Sequence, residues 1–195
     1  VPKSHNKKNF FKYLKEKGNM TERFLKAMPY IFEHEGGYND VKGDKGGATN
    51  WGISLNFLKS IKKDIDGDGN VDYMDIKKLT KENAMNIYFD NFWRNLYDKI
   101  TEKLGIKLFD VAVNAGHNRS SKLLQIALNK LGSKLLVDGA IGNTTIGEIN
   151  KYTESNILKA YCQAQTEFYD SLIKADPSQE KFRKGWLKRA AWLPE

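Results

Sequence analysis

Phe32-Glu-His-Glu-Gly-Gly-Tyr-Asn-Asp-Val-Lys-Gly-Asp-Lys-Gly-Gly-Ala-Thr-Asn-Trp-Gly-Ile-Ser54 joins the end of an apolar helical pattern to a polar, glycine-rich loop. Upstream, Phe24, Leu25, Met28, Ile31 and Phe32 recur at the spacing of one helix face. Asn19 with Glu22 three residues later has the form of a capping box at its start. Pro29 inside the pattern implies a kink or a restart. Gly36-Gly37 ends the helix, because glycine accepts the left-handed backbone that closes a C-terminus. Glu35 is therefore the last side chain of the helix.

That position is unfavourable for an anion by roughly 0.3–1 kcal/mol, since the helix C-terminus carries partial negative charge. If the neighbouring apolar residues exclude water, desolvation acts in the same direction and the carboxyl pKa rises. A carboxyl protonated near neutral pH is what a general acid requires. Taken alone, a solvated surface glutamate before a glycine cap accounts for the same residues, and on physical grounds by themselves it is the simpler reading.

The pattern Glu35-Gly36-Gly37-Tyr38, then Asp44, Gly46-Gly47-Ala48-Thr49-Asn50 and Gly52-Ile53, resembles the opening motif of glycoside hydrolase family 108. These are lysozyme-like N-acetylmuramidases of phages and bacteria, endolysins among them, and some are described as secretion activators. The resemblance implies a peptidoglycan hydrolase that cleaves the β-1,4 bond between N-acetylmuramic acid and N-acetylglucosamine, with Glu35 as the catalytic acid. Lys42 and Lys45 stand where the family often has proline, so this loop is expected to be less rigid. A second carboxylate is normally needed, about 5 Å away as a nucleophile or roughly 6.5–9.5 Å away as a base. Asp44 is the best candidate; Thr49 is the alternative, holding a water in place of a carboxylate. Glu33, two residues from Glu35 on a helix, points elsewhere. Tyr38, Asn50 and Trp51 are candidates for lining the sugar cleft.

Composition narrows the alternatives. The 195 residues, 40% apolar and 12% aromatic, suit one compact domain or one with a small appendage. No stretch approaches the ~18–20 consecutive apolar residues of a membrane span. Cys162 is the only cysteine, so no internal disulfide is expected. Residues 1–18 are basic without an apolar signal core. The expectation is a protein made in the cytoplasm without a signal peptide and acting on the cell wall. The balance of 32 Lys+Arg against 24 Asp+Glu gives +8. Bacterial wall is a polyanion that steers cations as nucleic acid does. The basic residues are scattered apart from the N-terminal segment, so nucleic acid is not expected as a main partner. Peptidoglycan is the expected partner, with a holin or an export apparatus as a further candidate, and a monomer is expected.

Asp64-Ile-Asp66-Gly-Asp68-Gly69-Asn70-Val71-Asp72-Tyr-Met-Asp75 matches a calcium-loop template. Asp64, Asp66, Asp68, Asn70 (through its carbonyl), Asp72 and Asp75 fall at the alternating positions from which a hard cation takes oxygens. Gly69 supplies the sharp turn. Asp75 stands where an EF-hand normally has a bidentate glutamate, resembling the dockerin-type variant. Five aspartates in twelve residues repel strongly unless a cation intervenes. A structural Ca2+ is expected, with a solvated acidic turn as the alternative.

Further along, Thr80 caps an amphipathic helix through Met85, Tyr88, Phe89, Phe92 and Leu96. Trp93 is read as core rather than as a sugar-stacking ring. Ile106 to Ala115 is nearly all apolar and reads as a buried helix ending in Asn114, a buried polar group with a hydrogen-bond duty to backbone or across a substrate cleft. His117 reads as a loop residue. Helices follow over Ser120–Leu131 and, after an Asn143 cap, beyond Gly142. Thr153–Lys174 is a long helix, and Phe182 to Arg189 lies on a last docking helix. Val137-Asp138-Gly139-Ala-Ile141-Gly142-Asn-Thr-Thr145 resembles a signature of small peptidoglycan-binding modules. With Phe109–Gly116 it is similar to the predicted peptidoglycan domain that accompanies family 108. Phe182-x-x-Gly-Trp-x-x-Arg189 also fits the family.

The fold class expected is mainly α, a lysozyme-like helical fold with a calcium-type loop. The divisions expected are a basic segment over 1–18, a catalytic half over 19–100 and a helical peptidoglycan-binding half over 101–195, sharing one core. Two other functions stay open: a non-catalytic wall-binding or secretion-assisting protein, and a lytic transglycosylase.

Overall fold

The computed structural model describes residues 20–35 and 48–195, the side chains of His34 and Glu35 excepted. The chain divides into two units, 1–91 and 92–195.

In the first unit, α1 runs over Glu22–Glu35 without interruption. Its cap is Thr21, whose Oγ1 accepts from the Phe24 amide at 3.2 Å, while Asn19 lies outside the described residues. Pro29 neither stops nor restarts the helix; it sits on the exposed side, where the missing donor costs a hydrogen bond but no core contact. Phe24, Met28 and Ile31 are fully buried. A two-stranded antiparallel hairpin follows, β1 (Thr49–Asn50) and β2 (Ile53–Ser54), with Thr49 opposite Ser54 and Asn50 opposite Ile53. Its two central residues, Trp51 and Gly52, both have positive φ (52° and 77°), as the tight turn that matches strand twist requires. No strand was expected here, because two-residue strands leave no alternation to detect.

Helix α2 (Leu55–Ser60) is capped by the Ser54 hydroxyl, and α3 (Tyr73–Lys78) by a reciprocal box between Asp72 and Asp75. Helix α4 (Lys81–Phe92) starts at Thr80, whose hydroxyl accepts from the Asn83 amide while the Asn83 side chain accepts from the Thr80 amide. Met85 and Tyr88 are buried, as are Ile53, Leu58 and Ile76 of the same unit.

The second unit packs α5 (Asn95–Lys99), α6 (Glu102–Ala115), α7 (His117–Lys130), α8 (Asn143–Ile149), α9 (Glu154–Ala175) and α10 (Arg183–Ala191), with a 3-10 turn over Pro177–Phe182 before the last. Helix α9 lies against α7 and α10, and α6 against α5 and α7. His117 opens α7 instead of lying in a loop, because Gly116 at φ 83° turns the chain directly from one helix into the next. Gly142, not Asn143, is the cap residue of α8. Trp93 is buried, packed edge-on against Tyr97 and Phe109 (5.3 and 5.1 Å), and its indole N–H donates to Asp98 Oδ2 at 2.8 Å.

The run read as apolar, Ile106–Ala115, carries two wholly buried charges. Lys107 Nζ donates to the carbonyls of Arg189 (2.8 Å), Ala190 (3.2 Å) and Trp192 (2.8 Å), closing the C-terminus of α10. Asp110 takes Arg189 as a fork, from Nη2 at 2.9 Å and Nε at 3.2 Å. A cation at a helix C-terminus and a bidentate arginine–carboxylate pair are the arrangements in which buried charge is tolerated. Among the described residues, no helix is long and apolar enough to cross a membrane.

Candidate functional site

The first unit brings the two ends of the glycine-rich stretch together. Glu35 ends α1 and Phe32 lies one turn before it. The Phe32 ring meets Trp51 edge-on at 5.3 Å and Tyr88 at 6.2 Å. The Tyr88 hydroxyl donates to the Trp51 carbonyl at 3.0 Å, fixing the hairpin turn to α4. Lys81, the first residue of α4, holds its ammonium 4.9 Å from the Phe32 ring centre and 5.7 Å from that of Trp51. Cation–π attraction of this kind is worth about 0.5–1 kcal/mol where exposed and more where water is excluded. Phe32, Trp51 and Lys81 are all half-buried, so rings and ammonium form a partly open surface beside the end of α1.

The expected site residues are distributed unevenly around this surface. Trp51 belongs to it, and Thr49 is on β1 two residues away. Asn50 serves the scaffold: it is buried, and its amide donates to the carbonyls of Ile76 (3.0 Å) and Leu79 (3.2 Å), tying β1 to the end of α3. Tyr38, Asp44 and the side chain of Glu35 lie outside the described residues. Asn114 belongs to the second unit and is exposed rather than buried; its Oδ1 accepts from the Tyr169 hydroxyl at 2.9 Å, and that oxygen in turn accepts from Gln165 Nε2. It is the last residue but one of α6, on the exposed side, although the run before it is apolar. Lys81 and Tyr88 were not anticipated as site residues. Nothing local marks Lys81, and Tyr88 is indistinguishable in sequence from its apolar neighbours.

The aspartate loop gathers part of its expected ligand set. Carboxylate oxygens of Asp64, Asp66 and Asp68 all lie within 4.8 Å of one another, a spacing that fits a cation taking oxygens at about 2.3–2.6 Å. Asp64 accepts from the amides of Gly67 and Gly69 (2.6 and 2.8 Å), and Gly67 and Gly69 carry the positive φ that curls the loop (79° and 92°). Asp72 and Asp75 are outside that group. Asp72 accepts from the Met74 amide, and Asp75, buried, accepts from the amides of Ile65 (2.6 Å) and Asp72 (2.7 Å). Burial raises the Asp75 pKa, but the amides of Asp72, Ile65 and Asp66 outweigh it and the net shift is downward. Lys78 reaches back to Asp66 Oδ2 at 3.0 Å, and this hydrogen bond and the carboxylate's charge raise the lysine pKa. The donor set therefore fits a hard cation at the loop's first three acidic positions. The twelfth position is committed to main-chain amides.

A helix ended by glutamate, a tight aromatic hairpin beside it and a helical second unit define a mainly helical, lysozyme-like protein. Residues 28–116 match the model of the family described as Glycosyl hydrolase 108, and residues 119–191 match the Predicted Peptidoglycan domain. Among solved structures, SagA of Brucella abortus is 32% identical, with a TM-score of 0.68 over 86% of this chain and 89% of that one. No curated protein matches the chain. The chain belongs to glycosyl hydrolase family 108, and its function is related to peptidoglycan.

Proposed function

We propose that this chain is an N-acetylmuramidase: it hydrolyses the β-1,4 bond between N-acetylmuramic acid and N-acetylglucosamine, with Glu35 as the general acid. The observation that supports this reading is the Phe32–Trp51 contact, which sets the hairpin turn against the last turn of α1, the helix whose final residue is Glu35. The negative end of the helix dipole favours the protonated carboxyl that a leaving glycosidic oxygen needs. Trp51 and Phe32 offer edges and faces for sugar C–H groups, and Lys81 offers a hydrogen-bond donor to ring substituents. Asp44 is the proposed second carboxylate, with Thr49 holding the attacking water as the alternative.

The test is release of reducing ends from purified sacculi. Glu35→Gln is expected to lower the rate by at least about 10²-fold, the scale of a lost general acid, with the melting temperature retained. Unchanged lysis by that variant removes Glu35 from the mechanism. Mass spectrometry of the fragments decides the reaction: hydrolysis leaves a reducing muramic acid, and an anhydro end identifies a transglycosylase.

The aspartate loop is proposed to take Ca2+ in a structural role, through Asp64, Asp66 and Asp68 with the Asn70 carbonyl. The Lys78 ammonium gives way to the ion. A ligand at 100 times its dissociation constant stabilises the folded state by about 2.7 kcal/mol. Added calcium is therefore expected to raise the melting temperature of chelator-treated protein by several degrees, with no such rise in Asp64→Ala. Superimposable melts with calcium and with chelator rule the ion out.

A further inference from the structure

The second unit contains a cavity of about 530 Å³ that the proposed hydrolytic site does not use. It lies between the first turn of α6, the first turns of α9 and the segment after α10. Leu158, Cys162, Leu193 and Pro194 supply apolar wall, and Lys103, Lys159 and Glu154 supply the charged lining. The three charges are not equivalent. Glu154 Oε1 already accepts from the Leu104 amide at 3.0 Å and so serves as part of the start of α6. Lys103 and Lys159 are both exposed, leaving the mouth with two ammonium groups against one carboxylate that is already hydrogen-bonded. The volume is within the range of small-ligand pockets, about 300–1,000 Å³.

This combination selects among the parts of peptidoglycan. A glycan strand offers hydroxyls and flat pyranose faces, but among the residues lining the cavity there is no aromatic ring on which a sugar could stack. A stem peptide offers carboxylates flanked by methyl and methylene groups. Two ammonium groups 56 positions apart in sequence but facing one cavity suit the carboxylates, and the leucine–proline wall suits the short aliphatic side chains. We propose that this cavity binds the acidic stem peptide of peptidoglycan, with Lys103 and Lys159 holding carboxylate groups and Leu158 and Leu193 contacting the aliphatic portions. The identity of the ligand rests on the peptidoglycan-related function proposed above; the cavity and its charge do not. Separate sites for peptide and glycan would let the second unit hold the wall by its cross-linking component while the first acts on the strand.

The test uses the whole chain and the stem tetrapeptide freed from glycan by an amidase. Calorimetric titration is expected to show saturable one-to-one binding, weakened at least tenfold by Lys103→Glu/Lys159→Glu and by blocking the peptide carboxylates as amides. Cys162, which lines the cavity, is a built-in reporter: saturating tetrapeptide is expected to slow its alkylation by iodoacetamide several-fold. A Lys103→Gln/Lys159→Gln variant, which removes charge without reversing it, is expected to bind with intermediate affinity and guards against misfolding of the charge-reversed protein. No saturable binding, equal affinity for amidated peptide, or unchanged Cys162 labelling overturns the proposal. So does preferential binding of a glycerol-phosphate oligomer, which would make the ligand a wall polymer. Reducing-end release from sacculi is measured in parallel on the wild type. Hydrolysis without tetrapeptide binding defeats this proposal alone, whereas tetrapeptide binding without hydrolysis defeats the muramidase and leaves the cavity assigned.

Discussion

At the scale of single residues, the sequence exposed what stands at a chain landmark and hid what depends on a distant partner. Glu35 stands out in the sequence because two glycines follow it, and Trp93 was legible as core because large rings bury more often than they serve. Lys107 and Asp110 were not legible. Each looks like an ordinary charged residue in an apolar run, and its partner lies about 80 positions away at Arg189 and the end of α10. Lys107 is the more informative of the two. Burial pushes its ammonium below the usual 10.5, and the Arg189 charge adds to that, against opposing contributions from Cys162 and Asp110. Lys107→Met leaves three helix-terminal carbonyls without their donor, and the expected loss of unfolding free energy in urea is about 1–3 kcal/mol. The sign of the pH dependence follows from linkage. Between the depressed folded pKa and 10.5 the unfolded chain binds more protons at this group, so its contribution to stability rises with pH. The stability difference, wild type minus Lys107→Met, is therefore expected to widen as pH climbs toward 10.5. A difference that stays flat or narrows shows that the folded amine titrates as it does in the unfolded chain.

Elements were legible in proportion to their length and periodicity. The long helices α1, α7 and α9 each announce themselves by apolar spacing, whereas the Thr49–Ser54 hairpin is too short for any pattern and is defined by its turn alone. Helix ends were misplaced where the cap was backbone geometry, as at Gly142 and His117, because only coordinates distinguish a cap residue from its neighbour. One interface carries a sharper constraint. A methyl group added at Gly105 of α6 would stand 2.5 Å from the Tyr97 carbonyl oxygen of α5. That atom is main chain and cannot swing aside, so α5 and α6 approach as closely as they do only because residue 105 has no side chain. Replacing glycine by alanine inside a helix ordinarily gains up to about 1 kcal/mol. Here Gly105→Ala is expected to destabilise instead, by about 1–3 kcal/mol, the range for overfilling a packed interior. Denaturant unfolding reads the sign directly, and a stabilised variant would mean that the two helices part without cost.

At the scale of the whole molecule, composition bounded the function and left the choice of polyanion open. The excess of 8 positive charges on 195 residues creates a field that draws the protein to wall or to nucleic acid alike. What separates the two is how much of the binding is electrostatic. Nucleic-acid binding by scattered lysines is driven almost entirely by counterion release and falls as a power of salt concentration. On the proposed reading the protein has further contacts to the wall, through the Phe32–Trp51–Lys81 surface, that screening does not remove, because a Debye length of about 10 Å at 0.1 M shortens reach without altering van der Waals and hydrogen-bonded contact. Co-sedimentation of the full chain with purified sacculi is therefore expected to weaken only a few-fold between about 0.05 and 0.5 M salt. Anisotropy of a labelled DNA duplex is expected to lose its binding signal by about 0.2 M, as non-specific phosphate contacts do. The first measurement also sets the site's affinity apart from the field's, since the high-salt plateau is what remains when steering is gone. Retention on DNA together with release from sacculi over the same range would reverse the assignment and make the wall a bystander to a nucleic-acid-binding protein.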